Sequence, residues 1–139
     1  MNAFPPDDVH IDKPYLSIYW DREHHCVYAA FKSFATSVEF REGTMKIIEA
    51  IRARRTTALI SDNRKLEGVS DADQGWIQDT WVPLAEAAGL KRVAVVLAHS
   101  GLGKFVSEQI LSRLTKEDFV TRTFDTMAAA NEWIVSDKP

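Results

Sequence analysis

Cysteine is almost absent. Cys26 is the only one in 139 residues, so no intramolecular disulfide can form, and its place in an alternating strand pattern implies a buried, reduced thiol. Long hydrophobic runs are missing too. No stretch approaches the roughly 20 apolar residues that cross a bilayer, which excludes an integral membrane segment. Residues 1–14 carry Pro5, Pro6, Asp7 and Asp8 where a secretory signal would place basic residues and an apolar centre, so a loose N-terminal arm and a cytoplasmic protein are expected. Neither sign of charge dominates. Seventeen Lys and Arg stand among twenty Asp and Glu, net −3, and with no basic stripe to follow a phosphate backbone, nucleic acid is not an expected partner. Six glycines and five prolines leave no linker or low-complexity run. A chain of this length can close one core without a metal or disulfide, and a single domain over residues 15–136 is expected.

What is present is a regular alternation of strand and helix patterns. Tyr15 to Trp20 alternates with Leu16, Ile18 and Trp20 on one face, Asp21 to His24 is a polar turn, and His25 to Lys32 alternates around Val27, Ala29 and Phe31. Together these predict a β-hairpin. Thr36-Ser37-Val38-Glu39 has capping-box spacing and opens a helix whose inward stripe is Phe40, Thr44, Ile47, Ile48 and Ile51. Gly43 in its middle costs about 1 kcal/mol against alanine and implies close backbone packing. Ala58-Leu59-Ile60 then runs into Ser61-Asp62-Asn63, Ser70 opens a second helix, Gly89 ends it, and Val93 to Ala98 returns as a strand apolar on both faces. That is a complete βαβ unit, expected where a parallel sheet is covered on both sides. A helix from Lys104 to Leu114 with Phe105, Ile110, Leu111 and Leu114 inward, a strand from Phe119 to Phe124 and a helix from Thr126 to Val135 complete the order ββαβαβαβα. The expected fold is therefore α/β: a mostly parallel five-stranded sheet with an N-terminal hairpin and four helices.

The hairpin with Tyr19-Trp20, the Phe31 to Glu39 entry into the first helix, Leu59-Ile60-Ser61-Asp62 as the third strand and the closing Ala130-Asn131-Glu132-Trp133-Ile134 resemble the SpoIIAA-like superfamily. This is the fold of STAS domains and bacterial anti-sigma-factor antagonists, and the likeness is closest to its uncharacterised bacterial SpoIIAA-like branch, over roughly Tyr15 to Val135. The resemblance implies a SpoIIAA/STAS-like fold and a partner-binding face at the start of the second helix. In the antagonists that position carries Asp-Ser-Ser/Thr-Gly, whose hydroxyl is phosphorylated so that added charge blocks docking. Here the stretch is Val69-Ser70-Asp71-Ala72-Asp73-Gln74-Gly75, with Ala72 or Asp73 at the hydroxyl position, so the phospho-acceptor motif is lacking. Ser70 remains, and its plain role is the helix N-cap, with Asp71 and Asp73 favouring the helix dipole and opposing added phosphate.

Ligands of open α/β sheets gather beyond the carboxyl ends of the strands, which directs attention to the loops from Asp62 to Asp73 and from His99 to Lys104. Asp62, Asn63, Ser70, Asp71 and Trp76 are the candidates for binding a partner or ligand. Trp76 lies about 100° from the stripe of Ile77, Trp81, Leu84 and Ala88, where it can belong to the edge of the core, to an apolar cleft or to a dimer face. Pro83 removes an amide and predicts a kink. Asp62 ends a strand, yet a receiver-like acidic pair is missing, so a loop-capping role is the simpler one. Ser100-Gly101-Leu102-Gly103-Lys104 follows a strand and opens a helix, but Ala98, Phe105 and Val106 depart from both the P-loop and the dinucleotide fingerprint. Its plain role is a tight turn, with weak anion binding by Ser100, Gly101, Gly103 and Lys104 left open. His24-His25-Cys26 cannot converge on a metal within a strand.

No catalytic grouping can be assembled from His10, His24, His25 and His99, and no cofactor is implied. The reading favoured is a non-catalytic regulatory protein-interaction module whose partner is another protein or a second copy. A carrier of a small apolar or lipid-like ligand comes second, and an enzyme acting on an anionic substrate at His99 to Lys104 third.

Overall fold

The structure is a computed structural model and describes residues 4–113 and 119–136. Six strands form one mixed sheet in the order β1-β2-β3-β4-β5-β6: β1 (Val9–Asp12), β2 (Leu16–Asp21), β3 (Cys26–Phe31), β4 (Ala58–Asp62), β5 (Arg92–Val96) and β6 (Val120–Phe124). The first three pair antiparallel and the last three continue in parallel from β3. The general α/β class holds. The expected five mostly parallel strands become six in a mixed sheet, and the difference lies in the N-terminal segment. Within residues 1–14, a 3-10 turn at Pro6–Asp8 leads into β1, which covers the free edge of β2. An edge strand presents unpaired backbone groups, and a four-residue strand is too short to show its alternation in sequence. Asp8 anchors the segment, fully buried and accepting from Arg22 Nε at 2.7 Å.

Helix α1 (Ser37–Arg54) begins with the expected capping box. Glu39 N–H donates to the Thr36 hydroxyl at 3.2 Å, and Thr36 N–H donates to the Glu39 carboxylate at 2.9 Å. Its buried face carries Phe40, Gly43, Thr44, Ile47, Ile48 and Ile51. A Cβ on Gly43 would lie 2.8 Å from Leu16 Cδ2, so glycine lets α1 sit against β2. The second helical rod is α2 (Asp71–Trp76), a π segment at Ile77–Trp81 and α3 (Val82–Ala87). Where a kink is expected at Pro83, the chain takes one π turn before the proline, which sits in the first turn of α3 and so costs little. The rod ends at Gly89, with φ of 104°, a left-handed position that glycine occupies without strain.

Helix α4 spans Leu102–Ser112 and α5 spans Met127–Ile134. Phe105, expected inward, is exposed, and the buried positions of α4 are Val106 and Ser107. Ile110 and Leu111 pack against the core as expected, but the inward face of α4 also takes in Gly103, Val106 and Ser107 and leaves Phe105 outside. Leu114, also expected inward, lies outside the described residues. Thr126 caps α5 by accepting from Ala129 N–H at 3.1 Å.

The sheet separates two cores. On one face Leu16, Ile18, Val27, Leu59, Val93 and Val95 meet α1, the π segment, α3 and α4. On the other, Ile60, Ala94 and Val96 meet Ala130, Trp133 and Ile134 of α5. β5 is therefore apolar on both faces because helices cover both. Cys26 is buried in the second core, unpaired, and burial first and Asp21 second push its thiol pKa upward, which keeps it protonated. Among the described residues no helix is long and apolar enough to cross a membrane.

Candidate functional site at the carboxyl edge of the parallel strands

Three connections leave the carboxyl ends of β3, β4 and β5, and the middle one, residues 63–70, is gripped by β5 and α4. Gly103 explains one grip. A Cβ there would stand 2.1 Å from the Leu66 carbonyl oxygen, so only glycine lets the start of α4 lie on this loop. Asn63 supplies a second. Its Nδ2 donates to Ser107 Oγ at 3.2 Å, its Oδ1 accepts from Ser61 at 2.7 Å, and its backbone N–H donates to Val96 O at 2.9 Å. Gln74 donates to Gln109 at 3.2 Å, and Arg113 pairs with Asp71. Loop, α2 and α4 thus form one polar seam.

Asp62 and Asn63, adjacent in sequence, point to opposite faces of the sheet, as alternation in an extended chain requires. Asp62 turns towards Tyr28, whose hydroxyl donates to it at 2.9 Å, and Arg64 closes on both carboxylate oxygens at 2.9 and 2.7 Å. The Arg64 N–H also donates to it at 3.2 Å, the loop-capping role. Burial acts to raise the Asp62 pKa, but the hydrogen bonds from Arg64 and Tyr28 outweigh it and hold the carboxyl below its ordinary range. Burial and Asp62 together push the Tyr28 phenol upward, so it stays a donor. A carboxylate held ionised by a bidentate arginine is a poor general base.

Ser70 caps α2, accepting from Asp73 N–H at 3.1 Å. Asp73, which the sequence offers only as an acid favouring the helix dipole, is buried. It accepts from Ser37 Oγ at 2.8 Å and from Arg41 Nε at 2.7 Å, joining α2 to α1. Ser37 and Arg41 are four apart on one helix face, a spacing visible in sequence whose acidic partner is not. Trp76 stands apart from the loop, half-buried, with the Arg41 guanidinium 5.2 Å from its ring centre. It borders a groove with Met45, Lys46, Glu49 and Arg52.

The glycine loop differs in character. Ser100 and Gly101 are exposed, Gly101 takes φ of 100°, and Lys104 lines a shallow cleft with His99, Glu108 and Asp125. Two acids in that cleft oppose an anion. In the hairpin turn, His24 Nδ1 lies 2.7 Å from Asp21, while His25, expected in the strand, belongs to the turn with φ of 51°. Among the described residues no group of three His, Cys, Asp or Glu side chains could hold a metal.

Two further features were not legible in the sequence. Four large apolar side chains are exposed at this edge: Phe34 (61%) and Val38 (65%) follow β3, and Leu102 (62%) and Phe105 (58%) follow β5. Beneath the edge, a cavity of about 100 Å³ lies between the sheet, α1, the π segment and α4. Trp81 forms part of its wall, fixed by donating Nε1–H to Thr44 O at 2.7 Å. Comparison of the chain with protein-family models, with curated proteins and with solved structures finds no match.

Proposed function

We propose that this protein is a non-catalytic, cytoplasmic regulatory module that docks a protein partner or a second copy of itself at the carboxyl edge of the sheet. The observation that carries this reading is the exposure of Phe34, Val38, Leu102 and Phe105 around a loop whose Asn63, Arg64 and Ser70 side chains are engaged within the fold. Single exposed apolar residues are ordinary, but four from the segments flanking one loop make a surface suited to burial. The SpoIIAA-like resemblance, with its partner face at the start of the second helix, supports the same location. The missing phospho-acceptor and the capping role of Ser70 argue for docking without a phosphorylation switch.

Sedimentation of the wild type against a Phe34→Ser/Phe105→Ser variant tests the surface. A dimer that becomes a monomer in the variant supports self-association. Should the wild type be monomeric, the two proteins serve as paired baits, and a partner retained by the wild type alone supports the surface. Equal retention by both removes it.

A second reading, a carrier of a small apolar ligand, is favoured by the cavity under α4. Chemistry on an anionic substrate at His99 to Lys104 has the least support, because Glu108 and Asp125 share that cleft.

A further inference from the structure

The cavity has a chemistry of its own. Most of its wall is apolar, including Phe40 and Ile47 of α1, Ile77 and Trp81 of the π segment, and Val93 and Val95 of β5. The space exists because the inward position of α4 beside it is Ser107, a fully buried serine where a larger apolar residue would fill the gap. The Ser107 hydroxyl accepts from Asn63, which is itself held by Ser61, and all three residues line the cavity. That places three of the five polar side chains of the wall together beside the carboxyl end of β4, while Thr44 bonds Arg41 O within α1 and Thr121 lies apart on β6.

The donor inventory of this polar end decides what it can recognise. An amide nitrogen carries two hydrogens, of which Asn63 uses one towards Ser107, and the serine hydroxyl brings a hydrogen as well as lone pairs. Asn63 Oδ1 is already taken by Ser61. The hydrogens left at this end, on Asn63 Nδ2 and Ser107 Oγ, suit a ligand that offers an acceptor oxygen. No charged side chain lines the cavity, and a charged ligand would be buried without a counter-ion, which is costly. Size sets the remaining limit. A dry engineered cavity of about 150 Å³ takes benzene, with its six non-hydrogen atoms, so about 100 Å³ suits a compact ring compound of no more than about six and leaves no room for a long acyl chain.

The geometry points to a binding site for a compact, neutral, mainly apolar cyclic molecule carrying one acceptor oxygen, its ring among Phe40, Ile77 and Trp81 and its oxygen at Asn63 and Ser107. This rests on the carrier reading and narrows it, since it excludes long-chain lipids. The π turn contributes by setting the Trp81 ring as a fixed wall, an arrangement common where π turns border functional sites.

Backbone amide NMR titrations with cyclopentanone and with methylenecyclopentane, its shape-matched hydrocarbon, test the inference. Cyclopentanone should bind the wild type more tightly. Ser107→Ala should weaken cyclopentanone about fivefold, the worth of one neutral hydrogen bond, and leave methylenecyclopentane unchanged, which also shows that the cavity is intact. Leu111→Trp, filling the space from its α4 side, should abolish both. Equal binding of ketone and hydrocarbon by wild type and Ser107→Ala would overturn the assigned polar end while leaving a carrier of apolar ligands standing. Tighter binding of 2-dodecanone than of cyclopentanone would overturn the size limit with the same consequence. Binding of none of the three by the wild type would remove the site and the carrier reading together.

Discussion

The Ser37 hydroxyl on α1 donates to the Asp73 carboxylate on α2 at 2.8 Å, and Arg41 Nε joins them at 2.7 Å. Asp73 is 3% exposed, so this is where the two helices are tied. Burial by itself raises its pKa, but the hydrogen bonds from Arg41, Ser37 and Ser70 outweigh that and hold it below the ordinary carboxyl range. A depressed folded pKa means that the folded state favours the ionised form. The associated stability is therefore present above the unfolded carboxyl value, about 4, and is lost as pH falls through the lower folded value. Asp73→Asn should cost about 1–3 kcal/mol at neutral pH, and its gap from the wild type should narrow in acid. Urea melts at pH 7 and in strong acid measure both, and a gap independent of pH would show that the carboxylate charge is not its source.

Close backbone approach makes Gly103 sensitive. With Leu66 O only 2.1 Å from an added Cβ, Gly103→Ala must push α4 off the loop, a displacement of the kind that costs about 1–3 kcal/mol or more. Gly68→Ala is the control, since a Cβ there meets nothing within 4 Å. It should be neutral or slightly stabilising. Thermal melts of the pair decide the point, and equal melting temperatures would mean that α4 does not rest on Leu66.

Ser70 is expected to act through its cap. Ser70→Ala should cost about 1 kcal/mol, and Ser70→Asn, which caps as well, should recover most of it. Chemical denaturation reads both. Stoichiometric phosphoserine at this position in cells, with loss of a partner on modification, would make it a switch instead.

The two tryptophans of the second rod should separate. Trp81 is buried, bonds Thr44 O at 2.7 Å and meets Phe119 edge-on, so Trp81→Ala should lose about 3–5 kcal/mol. Trp76 is half-buried beneath Arg41, a contact worth about 0.5–1 kcal/mol at an exposed site. Trp76→Ala should therefore destabilise much less, and equal losses on thermal melting would place both indoles in the core.

Local rules account for what could be read directly. The Thr36 to Glu39 capping box, the inward stripe of α1, the two-faced apolarity of β5, the Ser70 cap and the need for glycine at 43 and 89 all depend on neighbours within a few residues. Such signals survive without knowledge of the fold. The hairpin was legible for the same reason. Val9–Asp12 was not, because four residues show no period, and only the open edge of β2 and the burial of Asp8 make them a strand. Phe105 illustrates the opposite failure. Apolar and helical, it matched an inward pattern, yet the inward face of α4 takes in Gly103, Val106 and Ser107 and leaves it outside.

By itself, then, the sequence determined the α/β alternation, the capped helix starts at Thr36, Ser70 and Thr126 and the inward stripe of α1, because each is decided by residue type and spacing over one or two turns. Only the tertiary structure decided which polar groups became partners. The ties of Asp73 to Ser37 and Arg41, of Asp62 to Tyr28 and of Asn63 to Ser107 each span 32 or more residues. Side chains so distant in the chain meet only when strand order and helix docking bring them together. The cavity and the exposed apolar edge arise the same way, from where whole helices come to rest on the sheet.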